Sequence, residues 1–221
     1  MEKVIHRHDI VEFKNFLTQE ECQKLINYFN SSMDSWQETC FYASYVMDPL
    51  DPLNVNPDSE INREYFDNLR LSLKDLAETC SPEKLRNLSL SAHKWTPGAF
   101  ASDHSDNSDM DGTPNAWQDN KFVTIIYLNR DYEGGNLTFD AHGISIAPDQ
   151  GTMIAFDPGF TNLHGVTEVL SGLRYTMLSS WDYESVSYTE EDIRKIKEEK
   201  ERLKPEQEKQ REEWRKGNKY V

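Results

Sequence analysis

The sequence predicts an α+β domain built on a β-sandwich or jelly roll, and three observations carry that expectation. Helical periodicity is confined to residues before Thr79 and to a charged tail after Tyr188. Seven short β-rich runs follow one another between Leu88 and Ser180. Turn sequences, Glu133-Gly134-Gly135-Asn136 and Ala147-Pro148-Asp149-Gln150-Gly151, punctuate those runs. At 221 residues, 37% of them hydrophobic, the chain is long enough to bury a core.

Taken in order, the chain begins with alternating apolar positions around Val11 and Phe13. Thr18-Gln19-Glu20-Glu21 is a capping box that opens a helix, with Cys22, Leu25, Ile26 and Phe29 as its buried stripe. Asp48–Asp58 reads as a loop on its proline content. A second helix over Ser59–Thr79 places Ile61, Tyr65, Leu69, Leu73 and Leu76 on one face. The β-rich runs are Leu88–Trp95, Phe122–Leu128, Asn136–Phe139, Ile144–Ala147, Thr152–Phe156, Gly165–Leu170 and Leu173–Ser180. From Thr189 to Lys216 come ten acidic and ten basic residues with almost nothing apolar. This tail is expected to be a solvated helix laced with pairs such as Glu191/Lys195 and Glu198/Arg202, interrupted near Pro205. Ile193, Ile196, Leu203 and Trp214 are too few for a long coiled-coil seam.

Charge and composition exclude several classes. Against 39 acidic residues stand 24 basic ones, a net charge of −15, and an acidic body repels a phosphate backbone. Nucleic acid is therefore disfavoured as a partner. No apolar run approaches the ~18 residues of a membrane span, so no membrane partner is expected. The first residues lack the apolar stretch of a signal peptide, and Cys22, Cys40 and Cys80 form no CxxC. A cytoplasmic protein with reduced thiols is the expectation.

The chemistry concentrates in the β region. His104-Ser105-Asp106 is followed 58 residues later by His164, and Arg174 comes ten after that. Two imidazoles and one carboxylate on one face of a metal leave coordination positions open, which suits a non-haem Fe(II) oxygenase. On a strand, His104 and Asp106 would point to the same side, and a strand bringing His164 opposite would complete the face. A lone H-x-D is common by chance; its weight here comes from the ordered series around it. That series is Trp95-Thr96-Pro97-Gly98, Tyr127-Leu128-Asn129, Glu133 to Phe139, Pro148-Asp149-Gln150-Gly151, His164-Gly165-Val166 and Gly172-Leu173-Arg174-Tyr175-Thr176.

With those motifs the sequence resembles the Fe(II)- and 2-oxoglutarate-dependent dioxygenases, and among them the prolyl 4-hydroxylase-like group, from about Ser89 to Tyr183. The resemblance implies a double-stranded β-helix core over about 85–183, helical support over about 1–80, and one catalytic domain over 1–188, with 189–221 as the charged tail. It implies that His104, Asp106 and His164 bind Fe(II) and that Arg174 clamps the distal carboxylate of 2-oxoglutarate. A planar guanidinium can grip a carboxylate through two parallel hydrogen bonds. Tyr127 and Thr176 are candidates for the same cluster. O₂ is the other co-substrate, with ascorbate as a candidate reductant.

The implied reaction is hydroxylation of a prolyl residue in a protein or peptide. Trp95 stands where many relatives have a tyrosine, and the interval from Arg174 to Trp181 is one residue longer than in several. Both departures leave open the same oxygenase chemistry on another residue or a small molecule; a non-catalytic jelly-roll binding module is the rival from another class. Trp95, Trp117 and Trp181 are candidate substrate contacts. The Asp48–Asp58 and Ser105–Asn115 segments are expected to close over a bound peptide. Asn107-Ser108-Asp109-Met110-Asp111-Gly112 imitates an EF-hand but has Gln118 at the twelfth position in place of glutamate. His6, His8 and His93 have no supporting pattern and are read as structural or surface residues.

Overall fold

The computed structural model describes residues 1–31, 36–39, 41, 43–51 and 59–216. The chain opens with a hairpin, β1 (Glu2–Arg7) and β2 (Ile10–Lys14), then α1 (Gln19–Ser31). The capping box is formed: the Glu21 amide donates to Thr18 Oγ1 at 3.2 Å and the Thr18 amide to Glu21 Oε2 at 2.8 Å. Cys22, Leu25, Ile26, Tyr28 and Phe29 form the helix's buried stripe. Two short strands follow, β3 (Gln37–Glu38) and β4 (Ser44–Met47), then α2 (Arg63–Ala77). Asn62 caps α2 by accepting from the Tyr65 amide at 3.1 Å, and Phe66, Leu69, Leu73 and Ala77 are its buried residues.

The β region comprises β5 (Leu85–Trp95), β6 (Ala101–His104), β7 (Phe122–Tyr127), β8 (Glu133–Gly134), β9 (Leu137–Phe139) and β10 (Ile144–Ile146). It continues with β11 (Met153–Phe156), β12 (His164–Val166), β13 (Val169–Ser171) and β14 (Arg174–Tyr183). A last helix, α3, runs over Glu190–Arg215. Among the described residues the large sheet has eight strands in the order β1-β2-β11-β7-β14-β5-β4-β3. A four-stranded sheet, β10-β9-β12-β6, faces it, and β13 pairs with β8.

Alternation along β7 shows how the layers are made. Phe122 and Ile126 join α1, α2, Met177 and Trp181 in the core on the helical side of the large sheet. Val123, Ile125 and Tyr127 point the other way, into the space between the sheets with Leu137, Phe139, Ile146 and Phe156. The helices therefore brace one face of the large sheet and leave the other for a cavity under the small sheet. This is the jelly-roll arrangement, and it is the architecture expected from the sequence.

Several details differ from expectation. β6 ends at His104, so Asp106 lies beyond the strand and its aim is set by the loop: its amide donates to Pro158 O at 3.0 Å. The Gly165–Leu170 run divides into β12 and β13, which pair with different neighbours. α3 continues through Pro205, sustained by pairs on either side such as Arg202–Glu199 and Arg211–Glu208. The Ser105–Asn115 segment is a built hairpin, with Ser108 bridged to Pro114 and the Asp109 amide bonded to Thr113 O at 2.8 Å. Of the expected closing loop at Asp48–Asp58, residues 52–58 lie outside the described residues, as do Cys40 and the side chain of Trp214. Cys22 and Cys80 are free thiols. No helix among the described residues is long and apolar enough to cross a membrane.

Candidate active site

Strand pairing brings the first two candidate ligands together. In the β6–β12 ladder His164 stands directly opposite His104, and their ring centroids are 4.5 Å apart. Asp106 Oδ1 lies 3.4 Å from His104 Nε2 and 3.5 Å from His164 Nε2. The three ligating atoms fall within 4.8 Å of one another, so one ion can be shared by all three.

The bonding of each group leaves one atom turned toward the other two. His104 Nδ1 is 2.9 Å from Ser102 O, and His164 Nδ1 is 3.1 Å from Asn162 O. A carbonyl only accepts, so each Nδ1 carries a proton, and Nε2, on the side of Asp106, is the ring nitrogen left to meet a metal. Burial alone would raise the Asp106 carboxyl, but His104 and His164 outweigh it and hold the group well below the usual carboxylate range. Burial works downward on His104, and Asp106 reverses it, leaving this imidazole above its ordinary value. Asn120 Nδ2 donates to the other carboxylate oxygen, Asp106 Oδ2, at 3.0 Å, which leaves Oδ1 for an ion.

Behind His164 stands Asn162, fully buried. Its amide donates to Asp9 Oδ2 and to Asp157 O, both at 2.9 Å, pinning the loop whose carbonyl holds the ligand. Neither Asn120 nor Asn162 was suggested by the sequence, because asparagines in loops carry no periodic signal.

A cavity of about 100 Å³ extends from the three ligands between the sheets. Arg174 is only 2% exposed at its wall. Its Nε donates to Gly135 O at 3.0 Å and its Nη2 to Tyr127 OH at 3.3 Å, and its guanidinium lies over the rings of Trp95 and Tyr127. No carboxylate among the described residues is within ion-pair distance of it. Gly135 explains how the arginine can lie there: φ is +63°, and a Cβ would sit 2.9 Å from Arg174 Cδ.

A buried guanidinium without an acid is costly, and a ligand carboxylate is the group that would relieve it. The donor set thus fits both a divalent metal and a bound carboxylic acid. Among the described residues, the only His/Cys/Asp/Glu group able to hold a metal is this one.

A model of the 2OG-Fe(II) oxygenase superfamily matches residues 90–181. Residues 90–181 belong to the 2OG-Fe(II) oxygenase superfamily. The oxygenase domain so defined runs from the middle of β5 to Trp181 and contains all of His104, Asp106, His164 and Arg174. Over 83 residues the chain is 36% identical to prolyl 3-hydroxylase 2 of Homo sapiens, a match covering 32% of this chain and 12% of that protein. The chain therefore corresponds to a small part of this relative.

Two solved structures illustrate the fold that this chain shares. One is a viral collagen prolyl hydroxylase from Paramecium Bursaria Chlorella virus-1 in its 2OG complex (TM-score 0.58, 19% identity, 80% of this chain and 97% of that one). The other is a Trichoplax adhaerens prolyl hydroxylase in complex with a hypoxia inducible factor oxygen degradation domain peptide fragment (TM-score 0.61, 15% identity, 81% and 86%). At these identities the likeness is one of fold.

The remaining candidates separate. Tyr127, Thr176 and Trp95 are buried, and Thr176 and Trp95 line the oxygenase cavity with Arg174. Trp117 is 37% exposed and lines a different groove, between the loop at Pro114–Gln118 and Ile196 and Leu203 of α3. Trp181 is 1% exposed and belongs to the helical-side core, its Nε1 donating to Thr124 Oγ1 at 3.1 Å. It cannot touch a substrate in the cavity, because seven residues along a strand from Arg174 put it on the opposite face. His93, read from the sequence as structural or surface, lines the cavity. Burial, and then the charge of Arg174, push its imidazole down to about 4, so it is neutral.

Proposed function

We propose that this oxygenase hydroxylates a prolyl residue in a protein or peptide, with His104, Asp106 and His164 as the iron ligands and Arg174 as the clamp on 2-oxoglutarate. The observation that carries the reading is the buried, acid-free Arg174 guanidinium facing the same cavity as the three ligands. When bound, iron and 2-oxoglutarate supply O₂ activation: one oxygen atom goes to the substrate C–H, the other to succinate, and CO₂ leaves.

The chain's own part is binding and exclusion. Arg174 draws one carboxylate to the far end of the cavity, with Tyr127 OH beside it and Thr176 on the neighbouring strand position. This fixes which end of the co-substrate is presented to His104, Asp106 and His164. Val123, Ile125, Leu137 and Phe156 wall the space with hydrocarbon and keep bulk water from it. Asn120 and the two backbone carbonyls hold the ligands ready before any ion arrives.

Prolyl specificity is supported by the relatives, since a collagen prolyl hydroxylase and a peptide-bound prolyl hydroxylase share the fold. Residues 1–188 hold 29 acidic and 13 basic groups, which favours a peptide with basic residues near its target proline. A cytoplasmic setting accords with the free thiols Cys22 and Cys80. The test is mass spectrometry of candidate proline peptides incubated with the chain, Fe(II), 2-oxoglutarate and ascorbate. A product heavier by one oxygen atom, placed on proline by fragmentation, is expected. Oxygen on another residue, or succinate formed only with a small molecule, would replace the prolyl assignment.

A further inference from the structure

The cavity has a second polar feature that the reaction outlined above leaves unused. His93 on β5 stands opposite Thr176 on β14, which stands opposite Tyr127 on β7. Directly paired residues in an antiparallel ladder project to the same face, so these three side chains form one row across the sheet. Trp95 and Arg174, paired with each other, form the adjacent row. His93 therefore belongs to the same patch of wall as the guanidinium and lines the same cavity.

Its bonding is incomplete. One imidazole nitrogen, Nε2, lies 2.9 Å from Ser91 Oγ; the other, Nδ1, has no hydrogen-bond partner among the described residues. Much of the wall around the row is hydrocarbon, from Val123, Ile125, Leu137 and Leu178. An imidazole nitrogen without a protein partner on the wall of this cavity is open to a ligand. The same chamber holds a guanidinium with no acid. One anionic ligand would satisfy both.

We propose that His93 donates its free N–H to the carboxylate of 2-oxoglutarate that Arg174 grips, and is a further binding residue of the co-substrate clamp. A carboxylate at Nδ1 selects the tautomer that carries the proton there, and the Ser91 hydroxyl, which reaches Leu178 O at 3.5 Å in the ligand-free chain, then donates to Nε2. A neutral imidazole suits the role, because a second fixed cation beside Arg174 would oppose the first. The proposal rests on the reading of Arg174 as the clamp.

The test uses the full chain loaded with Co(II) in place of Fe(II), so that nothing turns over, and calorimetric titration with 2-oxoglutarate. His93→Leu should weaken 2-oxoglutarate binding by about tenfold or more, and His93→Gln should recover much of it. Binding of oxalate, which can chelate the ion but has no distal carboxylate, should be unchanged, as should Co(II) affinity. The ligand-free His93→Leu chain should keep the wild-type far-ultraviolet circular dichroism, so that the loss is read on a folded chain. Wild-type affinity in His93→Leu, with affinity lost in Arg174→Met, would overturn the role of His93 and spare the clamp. Unchanged affinity in both variants would overturn both. Equal losses for 2-oxoglutarate, oxalate and Co(II) would make His93 structural and also overturn the proposal.

Discussion

Replacing Arg174 with methionine should separate stability from binding in opposite directions. The guanidinium is 2% exposed and has no carboxylate partner among the described residues, so the ligand-free fold carries an uncompensated buried charge. Against that cost stand two hydrogen bonds, from Nε to Gly135 O at 3.0 Å and from Nη2 to Tyr127 OH at 3.3 Å. Each contributes roughly 1.5–3 kcal/mol because the donor is charged. Desolvating an unpaired ion costs several kcal/mol, and exchanging buried ions for hydrocarbon of similar volume is often neutral or stabilising by about 1–4 kcal/mol. The terms nearly cancel, so urea unfolding of the ligand-free Arg174→Met chain should shift by no more than about 2 kcal/mol, on the stabilising side if at all. Binding should behave otherwise. Losing the partner of a buried carboxylate weakens 2-oxoglutarate by roughly 2–5 kcal/mol, about thirtyfold to several thousandfold in Kd. Calorimetry on the Co(II)-loaded chain reads it directly. A variant unfolding about 3 kcal/mol or more easily while keeping its 2-oxoglutarate affinity would show that Arg174 is a structural residue.

Asp106→Ala should abolish substrate-dependent succinate formation and leave the far-ultraviolet circular dichroism unchanged; full turnover would remove the metal assignment. Trp181→Ala should cost about 3–5 kcal/mol in urea unfolding, with unchanged 2-oxoglutarate affinity in the folded chain, because the ring packs on the helical side of the sheet. Burial pushes the His104 imidazole down and Asp106 more than reverses it, leaving it above its ordinary value, so a proton competes with metal for Nε2. Co(II) affinity should therefore fall as pH drops from ~8 to ~6, with proton release on binding, and a flat profile across that range would refute it.

The part of the site that could be read from the sequence is the part whose residue types are chemically distinctive and tied to turns. His104, Asp106, His164 and Arg174 are of residue types that can bind a metal or a carboxylate, and Glu133-Gly134-Gly135-Asn136 marks a turn where only glycine fits. The structure gives that turn its reason: at Gly134 a Cβ would lie 1.9 Å from Glu168 O, and at Gly135 it would press on Arg174. The helices could be read too, since the Thr18 box and the Leu69/Leu73 stripe are local signals. What escaped depends on pairing between distant segments. β1 has mostly exposed side chains and is a strand only because β2 accepts it. Asp106 escapes the strand because β6 stops two residues short of it.

Trp181 and His93 show that strand parity holds more information than residue type. Trp181 is an odd number of residues from Arg174, so a continuous strand must send it to the other face, and it lies in the helical core. His93 is two residues before Trp95, hence on the same face as a residue already suspected of lining the cavity. Its importance becomes visible only when register sets it opposite Thr176, which lies 83 positions away in the chain. A histidine without a motif is thus a poor candidate by composition and a good one by position. The ladder that pairs β5, β14 and β7 turns three unremarkable residues into one polar row beside an unpaired guanidinium.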